Sequence, residues 1–198
     1  MIRMRLSRHS SKGYGNGMKE LSLNILDISE NSVKARATLV EITLTETDET
    51  LTISIKDDGC GMDGETLKSV ENPFYTTRTT RSVGLGIPLL KMAAEQTGGE
   101  VKISSTVDDG TGGEHGTVIT ALFFKNHIDF TPLGDVIATV TTLIQGHPDI
   151  DFLYTHTFGE TEVILDTREI RAVLEDVPLD SYEVICWIRG FLEEQYSV

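Results

Sequence analysis

Asn24, Asp27, Asn31 and Lys34 recur at spacings of three and four residues, which sets them in one row along a helix. An amide, a carboxylate and an ammonium in a row suit a metal–phosphate site. The side-chain oxygen of Asn31 can ligand Mg²⁺, a hard ion that seeks oxygen; Lys34 can meet a phosphate, and Asp27 can orient a water. Taken alone, the row also fits a solvated helix face. Apolar Leu21, Ile25 and Ile28 occupy the other side of the same helix.

Two glycine-bearing clusters follow. D-D-G-C-G-M, Asp57 to Met62, closes a strand-like run. Its alternate glycines permit a tight turn and close backbone approach, and Asp57 at the strand end can accept a hydrogen bond from an adenine amino group. Asp-Gly turns after strands are common, so this cluster alone says little. S-V-G-L-G-I, Ser82 to Ile87, opens a helical run. Glycines ahead of a helix N-terminus bring backbone N–H groups and the positive end of the helix dipole to a phosphate. The cluster has neither the G-x-x-x-x-G-K-[ST] of a P-loop nor the G-x-G-x-x-G of a dinucleotide fold.

In this order and at these distances, the clusters resemble those of the GHKL superfamily, the histidine-kinase-like ATPases. L-N-I-L-D-I-S-E-N-S-V-K looks like the N box and D-D-G-C-G-M like the G1 box. N-P-F-Y-T-T-R, Asn72 to Arg78, resembles the F box in its histidine-kinase form. V-G-L-G-I-P-L-L-K resembles the G2 box, and G-T-V-I-T-A-L-F from Gly116 the G3 position. The likeness spans roughly Glu20 to Phe124. It implies the Bergerat fold, a two-layer α/β sandwich with a mixed sheet and helices on one face, and it implies ATP and Mg²⁺ as ligands.

The resemblance assigns roles residue by residue. Asn31 matches the Mg²⁺-binding Asn and Lys34 the basic residue that contacts phosphate. Asp57 matches the adenine-reading Asp, with Met62 against the base, Thr117 in support, and Gly59 and Gly61 shaping the turn. Phe74 packs beneath a lid formed by Tyr75 to Val83. Arg78 or Arg81 meets the γ-phosphate, the alternative being a solvent-facing Arg. Gly84, Leu85 and Gly86 serve the phosphates. Asp27 stands where hydrolysing members place a Glu as water-activating base; it is one methylene shorter, so turnover is an open question while binding is expected. Glu30 lies about 100° around the helix from Asn31 and points elsewhere.

The elements that must position these groups follow from periodicity. A helix is predicted over Lys19–Ala35, a hairpin over Thr38–Thr45 and Leu51–Lys56, and a helix over Ile87–Gln96 ending at Gly98-Gly99. Strands follow at Glu100–Thr106 and Thr117–Phe124, with irregular chain from Glu71 to Val83. This is an α/β layer. A separate small α+β domain is expected over residues 126–198, with a helix at Leu133–Ile144, strands at Asp151–Thr157 and Glu162–Asp166, and two closing helices capped by Thr167 and Asp180. Cys60, Cys186 and Trp187 are expected to pack inside.

Charge divides the chain the same way. The whole has a formal charge of −14, with 17 Lys plus Arg against 31 Asp plus Glu. Residues 126–198 hold 3 Arg, no Lys and 14 acids, a net of −11, leaving −3 for the rest. A surface this acidic repels nucleic acid. Two distant cysteines give neither a disulfide framework nor a metal motif, and suggest a reducing cytoplasm. No apolar run is long enough for a bilayer. Residues 1–17 hold four basic and no acidic residues; they are expected to be a disordered basic tail, with the natural start at Met18 and the ATP-binding domain running from 18 to 125.

With about twenty residues before the N-box-like stretch and no such motif around His9, no phosphoacceptor hairpin of the sensor-kinase kind is expected. The Lys-free acidic segment disfavours a DNA-gated transducer. Two classes follow: an ATP-dependent phosphotransferase acting on a separate protein, or a nucleotide-responsive module that docks a partner, with little turnover or slow ATP hydrolysis. Neither requires a membrane, and a homodimer is compatible with both.

Overall fold

The computed structural model describes residues 20–71 and 86–197. In chain order the elements are α1 (Leu21–Lys34), β1 (Leu39–Glu46), β2 (Thr50–Asp57), α2 (Gly64–Glu71), α3 (Gly86–Gln96), β3 (Glu100–Thr106), β4 (Gly116–Phe124), α4 (Val136–Gly146), β5 (Asp151–Phe158), β6 (Thr161–Asp166), α5 (Thr167–Leu174) and α6 (Tyr182–Gln195).

The strands form one six-stranded sheet, ordered β3-β4-β2-β1-β5-β6. All neighbours are antiparallel except β1 and β5, which run parallel from Leu39 opposite Asp151 to Glu46 opposite Phe158. Period-2 patterning explains the two faces. Val40, Ile42 and Leu44 of β1, Leu51, Ile53 and Ile55 of β2, and Phe152 and Tyr154 of β5 are buried on one side. Each such side chain contributes about 1.5–3 kcal/mol by leaving water. The alternate positions, among them Glu41, Thr43, Ser54 and Lys56, stay half-buried or exposed. Leu21, Ile25 and Ile28 of α1, Leu90 of α3, Leu143 and Ile144 of α4, and Ile188 and Leu192 of α6 join the same core. The architecture is the expected two-layer α/β sandwich with a mixed sheet.

The separate C-terminal domain expected from the sequence is replaced by a continuation. β5 and β6 extend the sheet past β1, and their buried side chains belong to the one core. The segment after β4 also satisfies the start of α1. Glu20 offers no side-chain cap; instead the Leu21 and Ser22 amides donate to the carbonyls of Pro132 and Leu133 at 3.0 and 2.8 Å. A helix start leaves amides without intrahelical partners, and here another part of the chain supplies them. Gly134 makes this approach possible: its φ is +80°, and a Cβ there would collide with the Glu20 side chain.

Two further local differences have simple causes. α2 is short and has only Leu67 and Val70 as apolar residues; Asp63 caps it, its Oδ1 accepting from the Thr66 amide at 2.7 Å. The cap of α5 is Asp166, which accepts from the Arg168 amide, because the Thr167 hydroxyl is engaged in accepting from the Phe152 amide at 2.8 Å. Ser181 rather than Asp180 precedes α6.

Candidate functional site

The site begins at the end of β2. Asp57 is buried, with 7% of its surface exposed. Burying a carboxylate is costly unless its oxygens are met. Its Oδ2 accepts from the Ser32 hydroxyl at 2.7 Å, and its Oδ1 from the Gly59 amide at 3.0 Å. Ser32 belongs to α1, so the strand end and the helix beneath are tied through this carboxylate. Sequence reasoning missed Ser32. Its signal was a hydroxyl on the apolar side of α1, four residues beyond Ile28 and next to Asn31.

The turn after Asp57 needs its glycines. A Cβ on Gly59 would lie 2.9 Å from both the Cβ and the carbonyl oxygen of Ala35. Gly61 has φ +67°, and a Cβ there would sit 1.9 Å from the Thr106 carbonyl oxygen. The turn is therefore clamped between the end of α1 and the end of β3. The Cys60 amide donates to the Ala35 carbonyl at 2.9 Å, while the Cys60 side chain is exposed rather than packed. Asp58 anchors the start of β1. Partial burial works against its charge, but hydrogen bonds from the Thr38 hydroxyl and the Leu39 and Thr38 amides outweigh that and hold its carboxyl below the usual range.

β4 closes the other side. Thr117 lies directly opposite Asp57 in the ladder. Its hydroxyl pairs with Ser105 at 2.9 Å rather than with Asp57. Ser105 in turn donates to the Gly116 carbonyl at 3.0 Å and accepts from the Met62 amide at 2.8 Å. Ser105 thus pins Met62, whose side chain packs half-buried on the core. Ser105 too escaped the sequence reading, because an alternating polar position on a strand carries no distinguishing mark.

The polar row of α1 is present. Asn24 and Asn31 are half-buried, and Asp27 and Lys34 exposed. Asn31 and Asp27 face the start of α3. A Cβ on Gly86 would lie 3.0 Å from the Asp27 Cβ and 3.9 Å from the Asn31 amide nitrogen. The close approach of α3 to α1 therefore depends on Gly86 lacking a side chain. Pro88 sits in the first turn of α3, where its missing N–H deprives no helical bond. Phe74, the lid expected over Tyr75 to Val83 with Arg78 and Arg81, and Gly84 and Leu85 lie outside the described residues, as does the basic tail.

Glu30 turns away from this row, as expected from its position on the helix. Its carboxylate meets His147 Nε2, just past α4, at 2.8 Å. With the Thr139 hydroxyl donating to the Ser22 carbonyl, this bond fastens α1 along the side of α4.

These features define a class. The family model for histidine kinase-, DNA gyrase B- and HSP90-like ATPases matches residues 16–128. The chain belongs to that family and carries its ATP-binding module. Sporulation kinase C of Bacillus subtilis (strain 168) is 34% identical over 101 residues, covering 50% of this chain and 23% of the kinase. The signal transduction histidine-protein kinase AtoS of Escherichia coli (strain K12) is 32% identical over 88 residues, 44% of this chain and 14% of that protein. The aligned stretch is thus under a quarter of either kinase. Among solved structures, the N-terminal domain of a DNA repair protein superposes with a TM-score of 0.50 at 14% identity, covering 74% of this chain and 52% of that one; this likeness concerns the fold alone. No helix among the described residues is long and apolar enough to cross a membrane.

Proposed function

We propose that this protein binds ATP with Mg²⁺ between α1, the turn after β2 and the start of α3, and that it uses the nucleotide to phosphorylate or regulate a separate protein. The observation that carries this reading is Asp57. Its two oxygens are oriented by Ser32 and Gly59, and each keeps acceptor capacity toward an adenine amino group. The same helix that supplies Ser32 carries Asn31 one residue earlier. Base and phosphates would therefore be measured against one rigid element. Asn31 would hold Mg²⁺ through its side-chain oxygen, Lys34 would offset phosphate charge, and the first turn of α3 would present its amides and dipole.

Arg78 or Arg81 would meet the γ-phosphate from a lid under which Phe74 packs, and Gly84 and Leu85 would serve the phosphates. Asp27 is placed beside Gly86, at the phosphate end, where a base would act on a water or on an acceptor hydroxyl. Its short side chain favours transfer to, or regulation of, a partner over rapid hydrolysis.

A second reading is that nucleotide binding alone alters partner docking, with little turnover. The Glu30–His147 and Ser22–Thr139 contacts favour it, since they link the nucleotide-side helix to the acidic segment. Label from γ-phosphate-labelled ATP appearing on a protein in cell extract supports transfer; tight ATP binding unaffected by Asp27→Ala, with no release or transfer, supports docking. The site itself is tested by heat. Asn31→Ala should abolish the Mg²⁺-dependent part of the ATP-induced rise in Tm, whereas Glu30→Ala should retain it. Equal ATP shifts in wild type and Asn31→Ala would refute the assignment.

A further inference from the structure

At the edge of the sheet farthest from the β2 turn, β6, α5 and α6 enclose an open groove of about 700 Å³. Its apolar lining includes Ile164, Ile170, Val173, Val177, Trp187 and Phe191. Val173 is 82% exposed and Trp187 56%. Trp187 and Phe191 stack with ring centroids 5.5 Å apart and planes at 16°, which gives the groove a broad, stiff aromatic wall. Single exposed apolar residues are ordinary, but a contiguous concave set rimmed by charge marks a binding surface. The sequence expectation placed Trp187 in the core; instead Val184, Ile188 and Leu192 turn inward and leave the Trp187–Phe191 side outward.

The rim has one sign. Asp166, Glu169 and Glu183 line the groove. Asp166 is paired with Arg168 at 2.7 Å, whereas Glu169 and Glu183 have no ion pair among the described residues. They sit within a segment of net charge −11. A second copy of this chain seated here would set acid against acid, a juxtaposition that opposes association. A cationic partner would be drawn toward it.

We infer that this groove docks a segment of another protein that presents apolar side chains flanked by Lys or Arg. The apolar residues fill the space beneath Trp187 and Phe191, and the flanking cations meet Glu169 and Glu183. The inference does not depend on the nucleotide reading.

Trp187 is the sole tryptophan of the chain, so its fluorescence reports on the groove directly. The probe is a synthetic amphipathic Leu/Lys peptide of about four helical turns, added to the full-length protein without nucleotide, beside a Leu/Glu peptide of equal length. The expected result is a saturable blue shift with the Leu/Lys peptide only. Val173→Glu, at a position too exposed to affect folding, should weaken binding about tenfold with an unchanged circular dichroism spectrum. Glu169→Lys with Glu183→Lys should weaken it similarly. No saturable shift, an equal response to both peptides, or full binding by Val173→Glu would overturn the inference. So would a protein dimer, seen by sedimentation equilibrium, whose formation buries Trp187 in the absence of peptide.

Discussion

At the carboxyl end of β2, a buried carboxylate is held by two hydrogen bonds and faced by glycines that keep the backbone close. At the other edge of the same sheet, β6 and α6 leave aromatic and branched side chains in solvent under an acidic rim. The first region presents polar groups of fixed direction with little side-chain bulk, which suits a small, highly charged ligand. The second presents apolar area with almost no directed hydrogen bonding, which suits a peptide-sized surface. One core supports both, so their difference lies in what the loops and outer helix faces expose.

Removing residues 126–198 puts that shared core to its severest test. Two independent units would leave residues 18–125 folded. The continuous sheet instead implies that this fragment loses the β5 ladder, the α4 packing and the amide partners of α1, so no cooperative unfolding transition should remain by calorimetry. A sharp transition near the full-length Tm would restore the two-domain picture.

Asp57→Asn separates the regions by function. It keeps the shape but exchanges one acceptor for a donor where Ser32 or Gly59 donates. The ATP-induced rise in Tm should vanish, a loss of about 2.7 kcal/mol if ATP is supplied at about a hundred times its Kd. Leu/Lys peptide binding, followed by Trp187 fluorescence, should be unaltered.

Acid sensitivity should map to the other region. His156 is 3% exposed. Its Nε2 meets Glu46 at 3.2 Å and its Nδ1 the Tyr196 hydroxyl at 2.7 Å, with Tyr154 beyond at 2.5 Å and Lys125 on Glu46 at 2.6 Å. Neutral imidazole fits this chain, donating from Nε2 and accepting at Nδ1. Burial pushes the His156 pKa down, against the opposing pull of Glu46, and burial pushes Tyr196 up to about 12. A folded-state pKa below the unfolded value of about 6.5 means that the unfolded chain gains a proton first. Stability contributed by neutral His156 is therefore full above about pH 6.5 and declines as pH falls below it, until the folded pKa is passed. Denaturant unfolding at pH 7.5 and 5.5 should show wild type losing about 1 kcal/mol more than His156→Gln. Equal losses would remove His156 as the cause.

The smallest effect concerns the join between the regions. Glu30→Ala should cost about 0.2–1 kcal/mol, the range for a partly exposed pair, and adding His147→Ala should cost little more. Additive losses in the double mutant would show that the two side chains are uncoupled.

How much of this was readable beforehand depended on whether a feature was local. The strands came close because period-2 alternation is set by neighbours along the chain, and Asn31, Asp57 and Gly86 stood out because their spacing is short-range. The partners Ser32 and Ser105 did not, since their importance comes from residues 25 and 12 positions away. The parallel pairing of β1 with β5 was likewise invisible: nothing in either strand states which neighbour it will take. Trp187 misled because an aromatic on an amphipathic helix ordinarily marks the inward side, and only the position of β6 decides which side that is.

That β1–β5 pairing has a consequence for biosynthesis. Leu39 and its partner Asp151 are separated by more than a hundred residues. At about 5–20 residues per second, a ribosome leaves that side of β1 unpaired for roughly 6–20 s. During this interval the nascent chain carries an uncovered strand edge next to half-made apolar packing, a template for association with other nascent chains. Only when Asp151 emerges can β5 cover that edge of β1.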